Sequence, residues 1–358
     1  MENKRLRELP VSRRGALFGM AAVAGIGVVD VGAFLGASGR LGGDSLTPAD
    51  FADRFEQVYG RHEGFRRNHA KGVSLSGRFE ANGAGAEVCS ASVFRRGSYP
   101  VTGRFSLSGG MPYAPDAPAT VRGLALRFEL PGGEQWRTAM VNIPVFLDRT
   151  PQGFADRIVA YAPDPATGKP DPRRTAEFLR RHPETVKAMA RVKAQPPSAG
   201  FADSTFHGLN AFVATAGSGQ TCAIRWTFEP VPRPPSAQAG GRDRLFDTAT
   251  AAIAQAASQW RLVLTVAEPG DPTDDATTAW PPGRRRIIAG TLVLDRAETE
   301  AEGNARDVNF DPTVLPDGLA VSDDPLLSAR SAVYARSFER RSGEPKQPSA
   351  VQVREASA

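Results

Sequence analysis

A guanidinium and a phenol stand four residues apart in Arg330-Ser331-Ala332-Val333-Tyr334. In a helix that spacing puts both on one face. A guanidinium within hydrogen-bond reach favours the phenolate, and a phenolate is a strong ligand for ferric iron. Arginine–tyrosine pairs are also common on protein surfaces, so the spacing counts only together with its company. The second segment is Arg66-Arg67-Asn68-His69-Ala70-Lys71-Gly72. Its imidazole can take up and return a proton near neutral pH. A metal ligand near one end of the chain and a proton shuttle near the other require a scaffold that brings them together.

The elements around these segments are legible from pattern. Asp324-Pro325-Leu326-Leu327 opens a helix through Tyr334, with Ser322 or Asp323 as N-cap and Pro325 in the first turn. Residues 47–63 read as a helix on the spacing of Phe51, Phe55, Val58 and Tyr59. Between 66 and 146 the periodicity changes to two. Strands are expected over 73–79, 86–94, 100–107, 121–129 and 138–146, with Gly-rich and Pro-rich breaks. This is an antiparallel sheet long enough to curl into a barrel. Residues 172–192 read as one charged helix, and 205–214 and 221–229 as strands. A helix starting at Leu245 passes into a strand over 260–267, and 287–294 is the last clear strand.

The chain of 358 residues, with 41% apolar residues, can bury a substantial core, and 36 Gly with 29 Pro point to a strand- and loop-rich fold. The formal charge is +5, but residues 1–40 hold six Lys/Arg against three Asp/Glu, so most of the excess is N-terminal and nucleic-acid binding is not indicated. That segment reads as a targeting signal. Ser12-Arg13-Arg14-Gly15-Ala16-Leu17-Phe18 is a twin-arginine pattern, and the apolar run from Ala16 to Val29 is shorter than a membrane span. The expected organisation is a signal segment over 1–40, one barrel domain over 41–345 and a polar, mobile tail over 346–358. The expected location is the periplasm, with no stable membrane partner after export. Cys89 and Cys222 either form one disulfide in that compartment or pack as separate thiols. His62, His182 and His207 read as surface, helix-end and packed residues. No HExxH, Walker loop or GxSxG offers another chemistry.

Five further motifs follow His69 in order: Thr102-Gly103-Arg104-Phe105-Ser106, Val121-Arg122-Gly123-Leu124-Ala125-Leu126-Arg127-Phe128, Asn142-Ile143-Pro144-Val145-Phe146, Thr278-Ala279-Trp280-Pro281-Pro282, and the segment from Asp324 through Arg330 and Tyr334 to Arg340-Arg341. Together they resemble the haem catalase superfamily, in particular its short exported branch, the catalase-related peroxidases. The resemblance spans about 52–343. It implies an α+β fold, an antiparallel β-barrel of the haem catalase type with surrounding helices, lacking the C-terminal helical domain. It implies haem as cofactor, with Tyr334 as iron ligand and Arg330 as its guanidinium partner. It further implies His69 as the catalytic histidine above the haem, Ser106 as the residue that orients it, Arg66, Arg104 and Arg341 as partners of the haem propionates, and Phe154 as an aromatic of the same pocket.

Two positions depart from the family pattern. The amide that large catalases place above the haem falls at Val141, and Asn142 lies one residue later. On a strand one residue changes the face. Either Asn142 acts through a local bulge or the pocket lacks the amide. Asn68 replaces an apolar residue and either adds a polar group to the pocket or faces solvent. The activity implied is haem-dependent reduction of organic hydroperoxides and hydrogen peroxide with an external organic electron donor, with weak catalase activity. Other readings are haem storage, rearrangement of fatty-acid hydroperoxides on the same fold, and a haem-free barrel holding another apolar ligand. The oligomeric state stays open.

Overall fold

The alternating segments become a closed barrel. The structure, a computed structural model, describes residues 46–117, 120–196, 198–233 and 238–353. The signal segment expected over 1–40 lies outside them. The strands are β1 (Gly72–Ala81), β2 (Gly97–Leu107), β3 (Arg122–Glu129), β4 (Gln135–Val141), β5 (Phe206–His207), β6 (Phe212–Thr215), β7 (Thr221–Pro230), β8 (Ser258–Val266), β9 (Arg286–Glu298) and β10 (Leu319–Val321). The helices are α1 (Pro48–Tyr59), α2 (Pro151–Ala160), α3 (Pro172–Arg181), α4 (Pro183–Lys193), α5 (Arg244–Gln255) and α6 (Pro325–Ser342). Eight strands run β7-β5-β4-β3-β2-β1-β9-β8 and close through pairing of β7 with β8, all antiparallel. β6 pairs with β7, and β10 pairs with β6, as an annex to this ring.

Every second residue turns inward. Phe79, Phe105, Phe128, Trp136, Trp226 and Trp260 are buried in one continuous core. Each such side chain contributes about 1.5–3 kcal/mol by leaving water. Two indoles keep a polar partner: Trp226 Nε1 donates to Thr138 Oγ1 at 3.1 Å and Trp260 Nε1 to the Ser204 carbonyl at 3.1 Å.

Several local expectations are corrected. No strand runs over residues 86–94; the chain there makes two 3₁₀ turns, Ala84–Glu87 and Ser92–Phe94. Gly83 sits at φ 89°, and the Phe94 ring packs where a Cβ on Gly85 would lie. The apolar residues there, Cys89, Val93 and Phe94, are buried in the core without joining a ladder. Residues 142–146 leave the sheet after Val141. The single helix expected over 172–192 is two, broken at His182 because Pro183 bars its predecessor from helical backbone. Asp324, not Ser322 or Asp323, caps α6. Its carboxylate accepts from Leu326 N at 2.9 Å, since Pro325 takes the first helical position and holds Asp324 extended. Both cysteines are free thiols. The described part of the expected mobile tail is packed: Val351 is buried in the core, and Val353 N donates to Thr299 Oγ1 at 2.8 Å.

Candidate active site

Strand register builds the floor of the site. The pairing aligns Gly72, Ser106, Gly123 and Val141 across β1 to β4 in one row. The next row on the same face is Ser74, Arg104, Ala125 and Ala139. Apart from Arg104 and Val141 these are small residues, so the outer face of the barrel is flat here. α1, α2 and α6 stand over it, joined by Leu46, Phe51, Ala155, Ala329 and Ala332. The space left between floor and helices is a cavity of about 280 Å³. His69, Ser106, Tyr334, Arg330, Arg66, Arg104, Arg341 and Phe154 all line it. The structure therefore brings together eight of the nine residues singled out from sequence.

The exception is Asn142. Val141 and Ile143 line the cavity and Asn142 does not. Its carboxamide oxygen accepts from Arg122 N at 2.8 Å and its own N–H donates to the Arg122 carbonyl at 3.0 Å. The β3–β4 register runs without a bulge, so nothing turns residue 142 back onto the cavity face. Replacing Asn142 by Ala is expected to cost about 1 kcal/mol of stability through the lost hydrogen bond. It should leave the peroxide rate within about twofold. A thermal melt and a peroxide assay check this, and a rate loss of a hundredfold would restore Asn142 to the site.

His69 is held in an unusual posture. Its φ is 55°, left-handed backbone that non-glycine residues adopt rarely and at a cost. Three neighbours fix it. Asn68 Oδ1 accepts from His69 N and from Gly109 N, both at 2.9 Å. Arg104 donates to the His69 carbonyl at 2.8 Å and to the Ala70 carbonyl at 3.2 Å. The ring then points at the floor, with Nδ1 3.0 Å from Ser106 Oγ. Gly123 makes this possible, because a Cβ there would lie 2.7 Å from Ser106 Oγ and 3.1 Å from His69 Nδ1. Burial lowers the His69 pKa to about 3, with the guanidinium groups of Arg104, Arg330 and Arg66 adding to it.

The charged end of the cavity is crowded with guanidinium groups. Arg66 donates to the carbonyls of Ala305 and Val308 at 2.9 and 3.0 Å. Arg341 donates to the carbonyls of Arg306 and Val308 at 2.5 and 3.2 Å. Arg104 grips Glu300 with two bonds, 2.7 and 2.9 Å. Burial lowers Arg66 well below its ordinary value, reinforced by Arg341 and Arg104, and lowers Arg341 to about 10. Burial alone would raise the Glu300 carboxyl, but Arg104, Arg66 and Arg341 hold it below the usual carboxylate range. Three cations thus face one carboxylate. Two more carboxylates would balance them.

On the helix side, Tyr334 carries a hydroxyl with no hydrogen-bond partner among the described residues. The Arg330 guanidinium lies over its ring, 5.8 Å from the centroid, rather than on its oxygen. Arg330 spends its donors on Asn210 Oδ1 at 2.5 Å and the Ala139 carbonyl at 2.8 Å, and Asn210 in turn donates to Asp324 at 2.8 Å. Phe154 stacks at 6.0 Å on Phe51 and meets Phe146 at 5.6 Å, giving an apolar wall.

The sequence matches the family model described as Catalase over residues 54–351. The chain belongs to the catalase family. A catalase-related peroxidase of Synechococcus elongatus is 36% identical over 332 residues, covering 89% of this chain and 93% of that protein. Another from Mycolicibacterium paratuberculosis is 30% identical over 304 residues, covering 83% and 96%. Among solved structures, catalase A from Saccharomyces cerevisiae superposes with a TM-score of 0.68 at 20% identity over 88% of this chain and 71% of that one. Catalases are haem proteins, and haem is the cofactor here. The catalase-family cavity of this chain fits it. The unpartnered phenol suits ferric iron, the excess of two guanidinium charges suits two propionates, and the small-residue floor with aromatic walls suits a flat apolar ring.

Sequence reasoning missed four contributors. Arg67, beside the expected Arg66, pairs with Glu56 of α1 at 2.7 Å and with Glu344 just beyond α6, and so ties the His69 segment to the Tyr334 helix. Glu300, Asn210 and the bracing role of Asn68 were not visible either. Arg67 meets Glu344, Glu300 meets Arg104 and Asn210 meets Arg330 far along the chain, and Asn68 braces its neighbour His69 through Gly109 of another segment, so local spacing did not announce them.

Proposed function

We propose that this chain is a haem-dependent peroxidase that reduces organic hydroperoxides and hydrogen peroxide with electrons from an external organic donor. As a catalase-family protein it is an oxidoreductase acting on peroxide. The observation that carries the finer reading is the convergence of His69 with Ser106 and Tyr334 with Arg330 on one cavity whose charged end can seat two propionates. Haem, when bound, supplies the iron that receives the peroxide and the oxidising equivalents it yields. His69 does the proton work. With Nδ1–H donating to Ser106 Oγ, the Nε2 lone pair is free to take the proton of the inner peroxide oxygen and return it to the departing one. The apolar wall of Phe154, Phe51 and Phe146 favours peroxides with an organic tail. Dismutation of hydrogen peroxide is a minor reaction in this reading. The Ser12-Arg13-Arg14 pattern and the following apolar run support export by the twin-arginine route to the periplasm.

The test is stoichiometry. Haem-loaded protein given cumene hydroperoxide and guaiacol is expected to consume two guaiacol molecules per peroxide and release cumyl alcohol. Hydrogen peroxide should oxidise guaiacol faster than it evolves oxygen. A rearranged product from a fatty-acid hydroperoxide, formed with no donor consumed, would replace the peroxidase reading.

A further inference from the structure

The charged wall of the haem cavity has a second side. There lies another cavity, of about 350 Å³, lined by Glu300, Ala301, Glu302, Arg306, Lys346 and Gln352 among others. The two cavities share their partition. Glu300 faces the outer cavity and holds Arg104, which faces the inner one. Arg306 lines the outer cavity, and its carbonyl accepts from Arg341, which lines the inner one. The Arg104–Glu300 pair and the Arg341–Arg306 backbone contact therefore stand between a solvent-side pocket and the end of the site suited to the cofactor's carboxylates.

We propose that this outer cavity is the docking site of the reducing substrate, and that it takes small neutral phenols. The inference rests on the peroxidase reading above and adds where, and from what, the electrons enter. Its charge argues for a neutral guest. Glu300 is neutralised by Arg104, and Lys346 pairs with Asp307 at 3.2 Å. That leaves one carboxylate, the exposed Glu302, and one guanidinium, Arg306, whose Nη2 donates to the Gln347 carbonyl at 2.6 Å. The pocket has a mixed polar and apolar lining, is close to electroneutral and is large enough for one substituted ring. A phenol oxidised by one electron must also lose its hydroxyl proton. Glu302 engages no ion pair among the described residues and stands at the solvent edge, so it can accept that proton and pass it to water. The balance is one hydroperoxide and two phenols giving one alcohol, one water and two phenoxyl radicals. The O–O bond breaks, each phenol O–H breaks, and the peroxide takes two electrons.

The probe is guaiacol and the protein is the full haem-loaded chain. Ferric haem should shorten the NMR relaxation times of guaiacol ring protons in the wild type, a binding signal that needs no turnover. Ala301→Trp puts an indole into the pocket from an exposed position. It is expected to abolish that relaxation effect and to raise the ratio of guaiacol KM to peroxide KM about tenfold or more. Gln352→Trp, from another side of the pocket, should do the same, and Soret amplitude and melting temperature confirm that both variants are folded and loaded. Glu302→Gln should keep the relaxation effect while lowering kcat for guaiacol, since an amide can hold the hydroxyl but not take its proton. If guaiacol relaxes equally in wild type and both tryptophan variants, donors dock elsewhere and the proposal is wrong, while the peroxidase reading stands. If the wild type consumes no peroxide at all, the peroxidase reading fails and this proposal fails with it.

Discussion

Tyr334→Phe is expected to abolish the normal haem spectrum. The substitution removes one oxygen atom and nothing else. The ring stays under the Arg330 guanidinium, and the hydroxyl has no hydrogen-bond partner to lose among the described residues. Folding stability should therefore change by less than about 1 kcal/mol. Haem binding and chemistry should not survive so well. Residues that merely orient a metal ligand cost 10–100-fold when changed, so loss of the ligand itself should cost more than about 100-fold in peroxide turnover. The Soret band should vanish or shift clearly beside that of the wild type. Matching spectra with haem bound in both proteins would show that Tyr334 does not hold the iron. A protein that never takes up haem, wild type included, would turn the cavity into a site for some other apolar ligand.

The limits of sequence reading follow from where each constraint lives. His69, Ser106, the three arginines and Tyr334 were legible because each sits in a short motif and the motifs keep a fixed order. The barrel was legible because a residue period of two survives along β1 to β4 and β7 to β9. Asn142 was beyond local pattern. Alternation put it on the face opposite Val141 and a bulge would have turned it back, so the choice waited on the bulge-free β3–β4 register and the pairing with Arg122 of the neighbouring strand. Residues 86–94 alternate like a strand, yet the Gly83 turn and the Phe94 ring against Gly85 wind them into 3₁₀ turns. Glu300 meets Arg104 across 196 positions and Asn210 meets Arg330 across 120, so no local spacing announces either. The left-handed backbone of His69 is likewise a product of distant groups, Arg104 and Gly109, acting on a segment that looks ordinary.

That posture and the charge around it determine how His69 should behave with pH. Burial comes first among the causes that lower its pKa to about 3, followed by Arg104, Arg330 and Arg66. Bound propionates would offset part of the guanidinium contribution but would not rehydrate the ring. His69 is then neutral at pH 7 and available as a base. The rate of reaction with peroxide is expected to be flat from about pH 8 down to about pH 5, falling only as pH approaches the lowered pKa. An acid limb at the ordinary histidine value of about 6.5 would contradict this placement. His69→Gln keeps a polar side chain of similar reach but cannot shuttle a proton. It should slow the peroxide reaction about 10²–10⁴-fold at pH 7 and remove the acid limb with it. The same shift has a stability sign. In the unfolded chain His69 takes a proton near pH 6.5, and in the folded chain it resists down to about pH 3. Its contribution to stability is complete above about pH 6.5 and is lost as pH falls toward 3. The wild type should therefore lose melting temperature more steeply than His69→Gln across that window. Carboxylates titrate in both proteins and cancel in the difference, which leaves the burial of one imidazole as the quantity measured.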